Sequence, residues 1–207
     1  MNQFLTAARN PVKALRTKLE HDTAKVAIFA LVVLSALYFF DEFDTAAFGV
    51  LAPDIKTAFH LTTAKFTSIT ILNASLVLLL AIPVSQLGDR VKRVPLVIAS
   101  GILAGIFSFG TGIVTTTGLL VLVRFGNGLG LLANGSIHNS LLADYYPPET
   151  RGAVYADHSN AVQLGAIFGP AVAGGIGALF GWRAAFMILF VPILIVTFVA
   201  SRLKEPV

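Results

Sequence analysis

Long apolar runs alternate with short polar segments along the whole chain. Six of these runs are close to the roughly 20 residues that an α-helix needs to cross about 30 Å of hydrocarbon. The predicted spans are residues 26–53, 66–87, 95–115, 119–143, 152–179 and 182–201. Because the polar segments between them are short, we expect neighbouring spans to be antiparallel. The pattern therefore predicts an all-α membrane protein built as a bundle of six transmembrane helices.

The composition agrees with a membrane protein and excludes a soluble globule. Hydrophobic residues make up 56% of the 207 residues and charged residues only 13%, and the mean hydropathy is +0.80. A soluble domain usually carries about 25% charged residues, which are needed to cover its surface. The chain has no cysteine, which excludes disulfides and thiolate metal sites. Without a metal-ligand cluster, a nucleophile paired with a base, or a phosphate loop, we expect no enzyme, no cofactor and no metal site.

The distribution of lysine and arginine predicts the orientation of the bundle. One side of the predicted spans carries eleven basic residues, namely Arg9, Lys13, Arg16, Lys18, Lys25, Arg90, Lys92, Arg93, Arg151, Arg202 and Lys204. The other side carries three, namely Lys56, Lys65 and Arg183. Cytoplasmic loops of membrane proteins are enriched in basic residues. We therefore predict that both termini are cytoplasmic and that the membrane is the plasma membrane. Basic residues clustered beside apolar runs also argue against a nucleic-acid binder.

The polar segments divide the chain into three parts. Residues 1–23 are basic with interspersed apolar positions, which favours either an interfacial helix on an anionic membrane or a tail that only sets topology. Residues 24–204 hold the six spans. Residues 205–207 are either the start of a central cytoplasmic loop or the C-terminus of the protein.

Three acidic residues lie within the first predicted span, at Asp41, Glu42 and Asp44. A charge at this depth costs several kcal/mol, so each is a candidate functional group. Asp41 and Asp44 are three residues apart and share a helix face, whereas Glu42 points elsewhere. Carboxylates that are clustered in a low dielectric tend to retain a proton. We predict that Asp41 and Asp44 couple transport to protons; the alternative is a water-filled break in the helix without coupling.

Arg124 is the one lysine or arginine that lies well inside a predicted span, since Arg183 stands at the end of span six. It lies at nearly the depth of Asp44, which predicts a buried ion pair in which a proton and an anionic substrate compete. A static pair that only fixes packing is the alternative. Asn127 and His138 lie on nearly the same face of span four as Arg124, so we predict that these three residues bind substrate. For His138, a hydrogen-bonded packing role is the alternative.

Span five carries polar and small residues along its length. Asp157 and His158 lie less than two turns from the predicted interface, where simple hydration explains them as well as a place in the pathway. Small residues let helices approach closely in membranes, and a proline bends a helix. We predict helix packing through Gly128 and Gly130 in span four and through Gly165, Gly169 and Pro170 in span five.

Five short motifs, in the expected order, resemble motifs of the major facilitator superfamily. They are Leu87–Arg93, which is similar to the loop motif G-x-L-x-D-R-x-G-R-K, and the segments 124–130, 148–152, 165–174 and 181–183. Asp89, Arg90 and Arg93 match the loop motif, whereas Ser85 and Lys92 replace its glycines. The resemblance covers residues 24–204 and implies the N-terminal half of a major facilitator fold. It also implies a cytoplasmic gate formed by Asp89, Arg90, Arg93, Glu149 and Arg151.

The first span resembles one subfamily more closely. Residues 41–53 are similar to the signature D-G-x-D-x-x-x-x-G-x-x-A-P of aromatic-acid:proton symporters, with Glu42 in place of the glycine. In that subfamily both aspartates, here Asp41 and Asp44, are needed for uptake. The Gly-Pro motif of span five instead resembles drug:proton antiporters, and Asp44 with Arg124 resembles spinster-like lipid transporters.

Together these features predict proton-coupled transport of a small organic solute, an organic or aromatic acid, by alternating access. The expected partners are a small-molecule substrate, protons, the lipid bilayer and a second six-helix bundle, from a C-terminal half or a second copy; no nucleic acid is expected. The alternatives are a proton-driven drug or lipid exporter, a half-transporter that is inactive alone, and a membrane scaffold that does not transport.

Overall fold

The structure is a computed structural model that describes residues 11–205, with side chains described over 24–205 except at positions 87, 89 and 131–135. This part of the chain forms seven helices: α1 Pro11–Val50, α2 Ala52–Ala58, α3 Thr63–Arg90, α4 Arg93–Ile113, α5 Thr117–Tyr145, α6 Pro148–Phe180 and α7 Trp182–Ala200. Six of them are long, and α2 has 7 residues.

The long helices correspond one to one with the six predicted spans. Within the described residues, α1, α3, α4, α6 and α7 have the length and apolar composition to cross a membrane. The remaining long helix, α5, has 29 residues and packs against α3 and α4; the side chains at 131–135 in its middle lie outside the description. The predicted six-transmembrane-helix bundle is confirmed.

Proline explains two of the differences between predicted and observed helix ends. Span one was expected to continue through Pro53, but α1 ends at Val50 and α2 begins at Ala52. Pro53 has no backbone N–H to continue the helical ladder, whereas proline is well suited to the first turn of a new helix. In the same way, Pro148 begins α6, so residues 148–151, which were expected to precede span five, form the first turn of that helix.

The connections and the first helix also differ from expectation. The motif at 87–93 was expected to be a loop, but α3 continues to Arg90 and α4 begins at Arg93, which leaves two residues between them. Helix α1 begins at Pro11, so part of the predicted N-terminal segment continues directly into span one. Residues 1–10 lie outside the described residues, and the interfacial helix or tail remains a prediction.

Helix α1 lies at the centre of the bundle. It packs mainly on α6 and also contacts α5 and α7, while α4 packs between α5 and α7. Helix α3 lies at the edge, with α5 as its main neighbour. Its large apolar side chains are exposed, including those of Ile71, Leu72, Leu78, Leu79 and Ile82. These residues give α3 the apolar outer surface expected beside lipid or a second bundle.

Two apolar clusters form the core, one toward each end of the bundle. The connections α3–α4 and α5–α6 lie at one end with Arg90, Arg93, Arg151 and Arg202, and we call it the basic end. One cluster lies toward this end and includes Leu34, Val97 and Leu141. The other lies toward the opposite end and includes Phe48, Leu120 and Phe186. Along α1, Asp41 falls between the two clusters, so buried polar groups occupy the middle of the bundle.

Glycines bring α6 into backbone contact with α1. A Cβ atom added at Gly165 would lie 2.5 Å from the carbonyl oxygen of Phe39, and one at Gly169 would lie 2.9 Å from the carbonyl oxygen of Phe43. At Gly130 an added Cβ would lie 3.0 Å from the carbonyl oxygen of Ser100 on α4. Any larger residue would push these helices apart at the depth of the buried acids.

Candidate functional site

A buried ion pair joins α1 and α5. Arg124 Nη1 lies 2.7 Å from Asp44 Oδ2, and the two side chains are 8% and 1% exposed. The second oxygen of the carboxylate, Asp44 Oδ1, accepts a hydrogen bond of 2.6 Å from Ser108 Oγ on α4. Three helices therefore meet at this carboxylate. The pairing expected between Asp44 and Arg124 is present, and Ser108 is a partner that the sequence did not reveal.

Aromatic rings surround the guanidinium group. Arg124 Cζ lies 4.2 Å from the ring centroid of Phe48 and 5.9 Å from that of Phe186. Phe48 also stacks on Phe66, with centroids 5.2 Å apart and planes 19° apart. A cation over an aromatic face is attracted by the ring quadrupole, most strongly where water is excluded. The rings thus stabilise the charge of Arg124 at this depth.

Arg124 also reaches an open cavity between α1, α3 and α5. The cavity has a volume of about 510 Å³ and is lined by Thr45, Phe48, Gly49, Phe66, Thr70, Asn73, Ala74, Val77, Leu78, Ala81, Arg124, Asn127 and Gly128. Most of this lining is apolar. Its volume falls within the ~300–1,000 Å³ of small-molecule pockets, which typically combine apolar walls with a few convergent polar groups. The arrangement can hold a small molecule that has an apolar body and an anionic group.

Two asparagines supply further polar groups in the cavity wall. Asn127 Nδ2 lies 3.5 Å from the carbonyl oxygen of Ala104, so only a weak bond ties this amide to α4. Asn73 Oδ1 is buried and has no hydrogen-bond partner among the described residues. Asn127 was expected in the cavity, whereas Asn73 was not. A buried acceptor without a partner is costly, so a turn of the Asn73 side chain toward the cavity would let a substrate that brings a donor satisfy it.

The other acidic residues of α1 lie outside this cavity. Asp41 is buried on the same face of α1 as Asp44 but is absent from the described lining. Glu42 is half-buried and faces α6, since its Cβ lies 3.0 Å from the position of a Cβ added at Gly165. The structure thus separates the three acids, with only Asp44 at the cavity arginine.

His138 lies in a second buried cluster. Its ring centroid is 5.5 Å from that of His158 on α6, and Tyr38 of α1 lies 6.4 Å from His138 and 5.0 Å from His158. Ser35 Oγ lies 3.1 Å from His158 Nδ1. His138 was expected beside Arg124 and Asn127, but it is not among the described residues that line their cavity. His138 lies fourteen residues after Arg124, about 21 Å further along α5, at the level of His158 rather than of the cavity.

Burial distinguishes the two polar residues at 157 and 158. The side chain of Asp157 is exposed, which agrees with simple hydration. His158 is 1% exposed, so hydration does not explain it. Its neighbour His138 is fully buried. Both ring nitrogens of His138 and the Nε2 atom of His158 have no hydrogen-bond partner among the described residues.

The predicted gate residues fall at the basic end. Arg93 forms an ion pair with Asp144 at the end of α5. Arg151 Nε donates to the carbonyl oxygen of Tyr146, at 3.0 Å. Arg90 and Glu149 are exposed. The side chain of Asp89 lies outside the described residues. The gate role of all five remains a prediction.

The end of the chain closes on the first turn of α4. Both oxygens of Glu205 accept backbone N–H bonds there, from Arg93 at 2.7 Å and from Val94 at 2.9 Å. A carboxylate is favourable at a helix N-terminus because the free N–H groups carry partial positive charge. The hydroxyl of Tyr145 donates to the carbonyl of Lys204. Burial, then the charges of Glu205 and Asp144, raise the pKa of Tyr145, so its hydroxyl keeps the proton it donates.

Comparison with known proteins begins with the family. The model of the Major Facilitator Superfamily matches residues 34–207. A curated relative, the 4-hydroxybenzoate transporter PcaK of Pseudomonas aeruginosa, is 27% identical over 172 residues, which is 82% of this chain and 38% of the relative. The multidrug export protein EmrB of Haemophilus influenzae is 29% identical over 166 residues, which is 78% of this chain and 32% of the relative.

Solved structures agree with this family. A bacterial homologue of the human lysosomal transporter Spinster, inward-facing and occupied, superposes with a TM-score of 0.78 at 27% identity, over 86% of this chain and 44% of that one. The proton:xylose symporter XylE gives a TM-score of 0.66 at 16% identity, over 89% and 46%. The chain thus spans less than half the length of these relatives. All of them are named as transporters and none as an enzyme, and this chain is an integral membrane protein that belongs to the major facilitator superfamily.

Proposed function

We propose that the protein transports a small organic anion, an aromatic acid, together with protons by alternating access. The observation that carries this proposal is a single buried arginine with two roles. Arg124 is paired with Asp44, and it also lines the cavity of about 510 Å³ between α1, α3 and α5. An anion that enters the cavity would meet Arg124 as its natural partner.

The ion pair supports coupled binding of substrate and proton. A guanidinium group can bind a carboxylate through two parallel hydrogen bonds, so a substrate carboxylate can replace that of Asp44. Once it loses Arg124, a carboxylate at 1% exposure is strongly favoured in its protonated form. Asp44 would then carry the proton while Arg124 holds the substrate. Ser108 Oγ can hydrogen-bond Asp44 in either state, because a hydroxyl both donates and accepts.

The walls of the cavity favour an aromatic acid. Phe48 and Phe66 present stacked rings on which a planar substrate can pack. Asn73 Oδ1 needs a donor, which a ring hydroxyl would supply. The named substrate of the PcaK relatives, 4-hydroxybenzoate, has both features. The apolar remainder of the lining also suits a lipophilic drug, as the similarity to EmrB suggests; a preference for lipophilic cations over benzoates would favour that exporter function.

We further propose that the basic end faces the cytoplasm and that a second six-helix bundle covers the open cavity. The basic residues of this end support the orientation. Carriers of this kind rock two bundles about a site near the membrane midplane. The contacts of Arg93 with Asp144 and of Glu205 with the start of α4 would hold the cytoplasmic gate in one of the two states.

Uptake into proteoliposomes tests this function. The protein at its full native length would be reconstituted and given radiolabelled 4-hydroxybenzoate, with and without an inward-directed proton gradient. We expect the gradient to drive accumulation, and we expect Asp44→Asn to abolish the driven component. Asp54→Asn on α2 is the matched control, because Asp54 is exposed and should leave uptake unchanged. Equal rates with and without the gradient, or full activity of Asp44→Asn, would contradict the proposal.

A further inference from the structure

We propose that Tyr38, His138 and His158 form a second proton-binding site, which passes protons between the acids of α1 and the basic end. The inference rests on the proposed proton coupling and extends it to residues outside the substrate cavity. Its ligand is a proton, bound at imidazole nitrogen. We call the three residues the histidine cluster.

The hydrogen bonding of the cluster supports this role. His138 and His158 are 0% and 1% exposed. Among the described residues, three of their four ring nitrogens have no hydrogen-bond partner, and the fourth, His158 Nδ1, lies 3.1 Å from Ser35 Oγ. Buried polar atoms are nearly always satisfied, and each exception needs an explanation. A group that must take up and release a proton needs such a free nitrogen.

The position of the cluster connects it with the acids. Ser35, Tyr38, Asp41 and Asp44 follow one another at intervals of three residues. Each step of three residues rises about 4.5 Å and falls about 60° short of a full turn, so consecutive members are neighbours in a row that winds around α1, and Ser35 and Asp44 lie on opposite sides of the helix. We call this row the polar stripe. The histidines contact it at Tyr38 and Ser35, on the side of the acids that faces the basic end.

The distance to the basic end is short. His138 precedes Tyr145, the last residue of α5, by seven positions, which is about 10 Å along that helix. His158 follows Pro148, the first residue of α6, by ten positions, or about 15 Å. At about 2.8 Å for each hydrogen-bonded step, a chain of roughly three to five waters would bring protons to the cluster from this end.

The charged and titratable groups near the histidine cluster are few on every helix that packs against it. The cluster therefore lies as the intermediate proton site between the basic end and the acids of α1. On α1, Tyr38 interacts with the charges of Asp41 and Glu42. On α5 and α6, the titratable group that faces His138 is His158, with ring centroids 5.5 Å apart, while the neighbouring Asp157 is exposed. Helices α4 and α7 carry charged side chains only within their first two residues, namely Arg93, which is paired with Asp144, and Arg183.

The relay balances protons at each step. A neutral imidazole binds an incoming proton at its free nitrogen and releases one from the other nitrogen, which leaves it neutral but in the other tautomer. A flip of the ring restores the first tautomer before the next transfer in the same direction. The hydroxyl of Tyr38 can likewise accept one proton and release another toward Asp41. Two cationic imidazoles with centroids 5.5 Å apart would repel, so the cluster holds one proton at a time. No metal or other co-reactant is required.

Two transport modes distinguish a relay from a structural role. His138→Gln and His158→Gln keep a hydrogen-bonding side chain but lose the proton site. Each would be reconstituted at full native length and assayed for gradient-driven accumulation and for counterflow, in which substrate exchanges without net proton movement. We expect driven accumulation to slow at least about tenfold, the lower end of proton-transfer contributions, while counterflow stays within about twofold. Thr197→Val, a buried polar position between α4 and α7, is the control and should change neither mode.

The double variant His138→Gln/His158→Gln sharpens the test. If both residues act in one relay, the double variant should be no slower than the slower single variant.

Equal losses in driven transport and counterflow, or unchanged driven transport, would overturn the inference. Each variant must elute as a monodisperse peak before assay, and His138→Asn replaces His138→Gln if it does not. If uptake by the wild-type protein does not depend on the proton gradient, the proposed function itself fails. If uptake by the wild-type protein depends on the gradient and uptake by the histidine variants depends on it equally, only the relay is rejected.

Discussion

Two polar sites lie along the same stripe of α1, and they satisfy their buried groups in opposite ways. At Asp44 both carboxylate oxygens are bonded, one to Arg124 and one to Ser108. In the histidine cluster, three ring nitrogens of His138 and His158 have no partner among the described residues. The first site is charged, and each carboxylate oxygen of Asp44 already has a bonding partner. The second site has ring nitrogens that can still form a hydrogen bond or bind a proton.

This difference indicates that the two sites have different roles in transport. A buried ion pair is strongly affected by the removal of one partner, because a buried charge is left uncompensated. The pair is thus suited to a switch between two states. In one, Asp44 is bound to Arg124; in the other, Asp44 is protonated and the substrate is bound to Arg124. Neutral imidazoles carry no net charge, and each free ring nitrogen can bind or release a proton. They are suited to transfer, and the following predictions test this contrast.

The largest effect is expected at the ion pair. Asp44→Ala leaves Arg124 buried without its partner, and the protein should lose about 3–5 kcal/mol of stability. Thermal unfolding in detergent, followed by the loss of monodisperse protein, measures this. The double variant Asp44→Asn/Arg124→Gln removes both charges and should recover most of the stability while transport stays absent. A double variant as unstable as Asp44→Ala would show that shape, rather than charge pairing, holds this site.

The two serines of the polar sites provide a matched pair of deletions. Ser108 Oγ donates to a buried carboxylate at 2.6 Å, and hydrogen bonds to charged groups contribute about 1.5–3 kcal/mol. Ser35 Oγ meets a neutral imidazole at 3.1 Å, where a contribution of about 0.5–1.5 kcal/mol is typical. We therefore expect Ser108→Ala to destabilise the protein more than Ser35→Ala in the same unfolding assay. The reverse order would contradict the contrast between the sites.

The glycines of α6 hold both sites on α1 at once. A methyl group at Gly165 would lie 2.5 Å from the carbonyl oxygen of Phe39, which lies in the sequence between Tyr38 and Asp41. Overpacking of this kind costs about 1–3 kcal/mol, so Gly165→Ala should lower the unfolding temperature. Gly175→Ala is the control, since an added Cβ there meets nothing within 4 Å. Equal stability of the two variants would show that α6 does not pack on α1 through Gly165.

The smallest effect is expected at the basic end. Glu205→Gln keeps the shape of the side chain but removes the charge that caps α4 through Arg93 and Val94. Charges at helix ends contribute about 0.3–1 kcal/mol. We expect a small loss of stability that disappears at high salt, because salt screens this interaction. A loss that persists at high salt would indicate that the capping charge is not its cause.

The sequence predicts the bundle well because its signals are local. Apolar length gives the spans, and short connections give antiparallel neighbours. The ends are less predictable, since Pro53 and Pro148 begin helices where a span end and a loop were expected. Asp44 and Arg124 could be matched because charges at membrane depth are rare and must find partners.

The rest of the site depends on packing between distant helices. Ser108 is one small polar residue in an apolar helix, and only the approach of α4 to α1 shows its bond to Asp44. His138 shares a face with Arg124 when α5 is considered alone, but α6 brings His158 against it. A signal was available in α1, where Ser35 and Tyr38 extend the spacing of Asp41 and Asp44. The partners of that stripe could not be derived from a single helix.

Proton exchange on substrate binding tests the central claim most directly. Purified protein of full native length in weak buffer would receive 4-hydroxybenzoate while a pH indicator reports protons taken up or released. If substrate displaces Asp44 from Arg124, wild type should take up about one proton for each substrate bound. Asp44→Asn should bind substrate with no proton uptake. Binding without proton uptake in wild type, or equal uptake in wild type and Asp44→Asn, would contradict a switch at this ion pair.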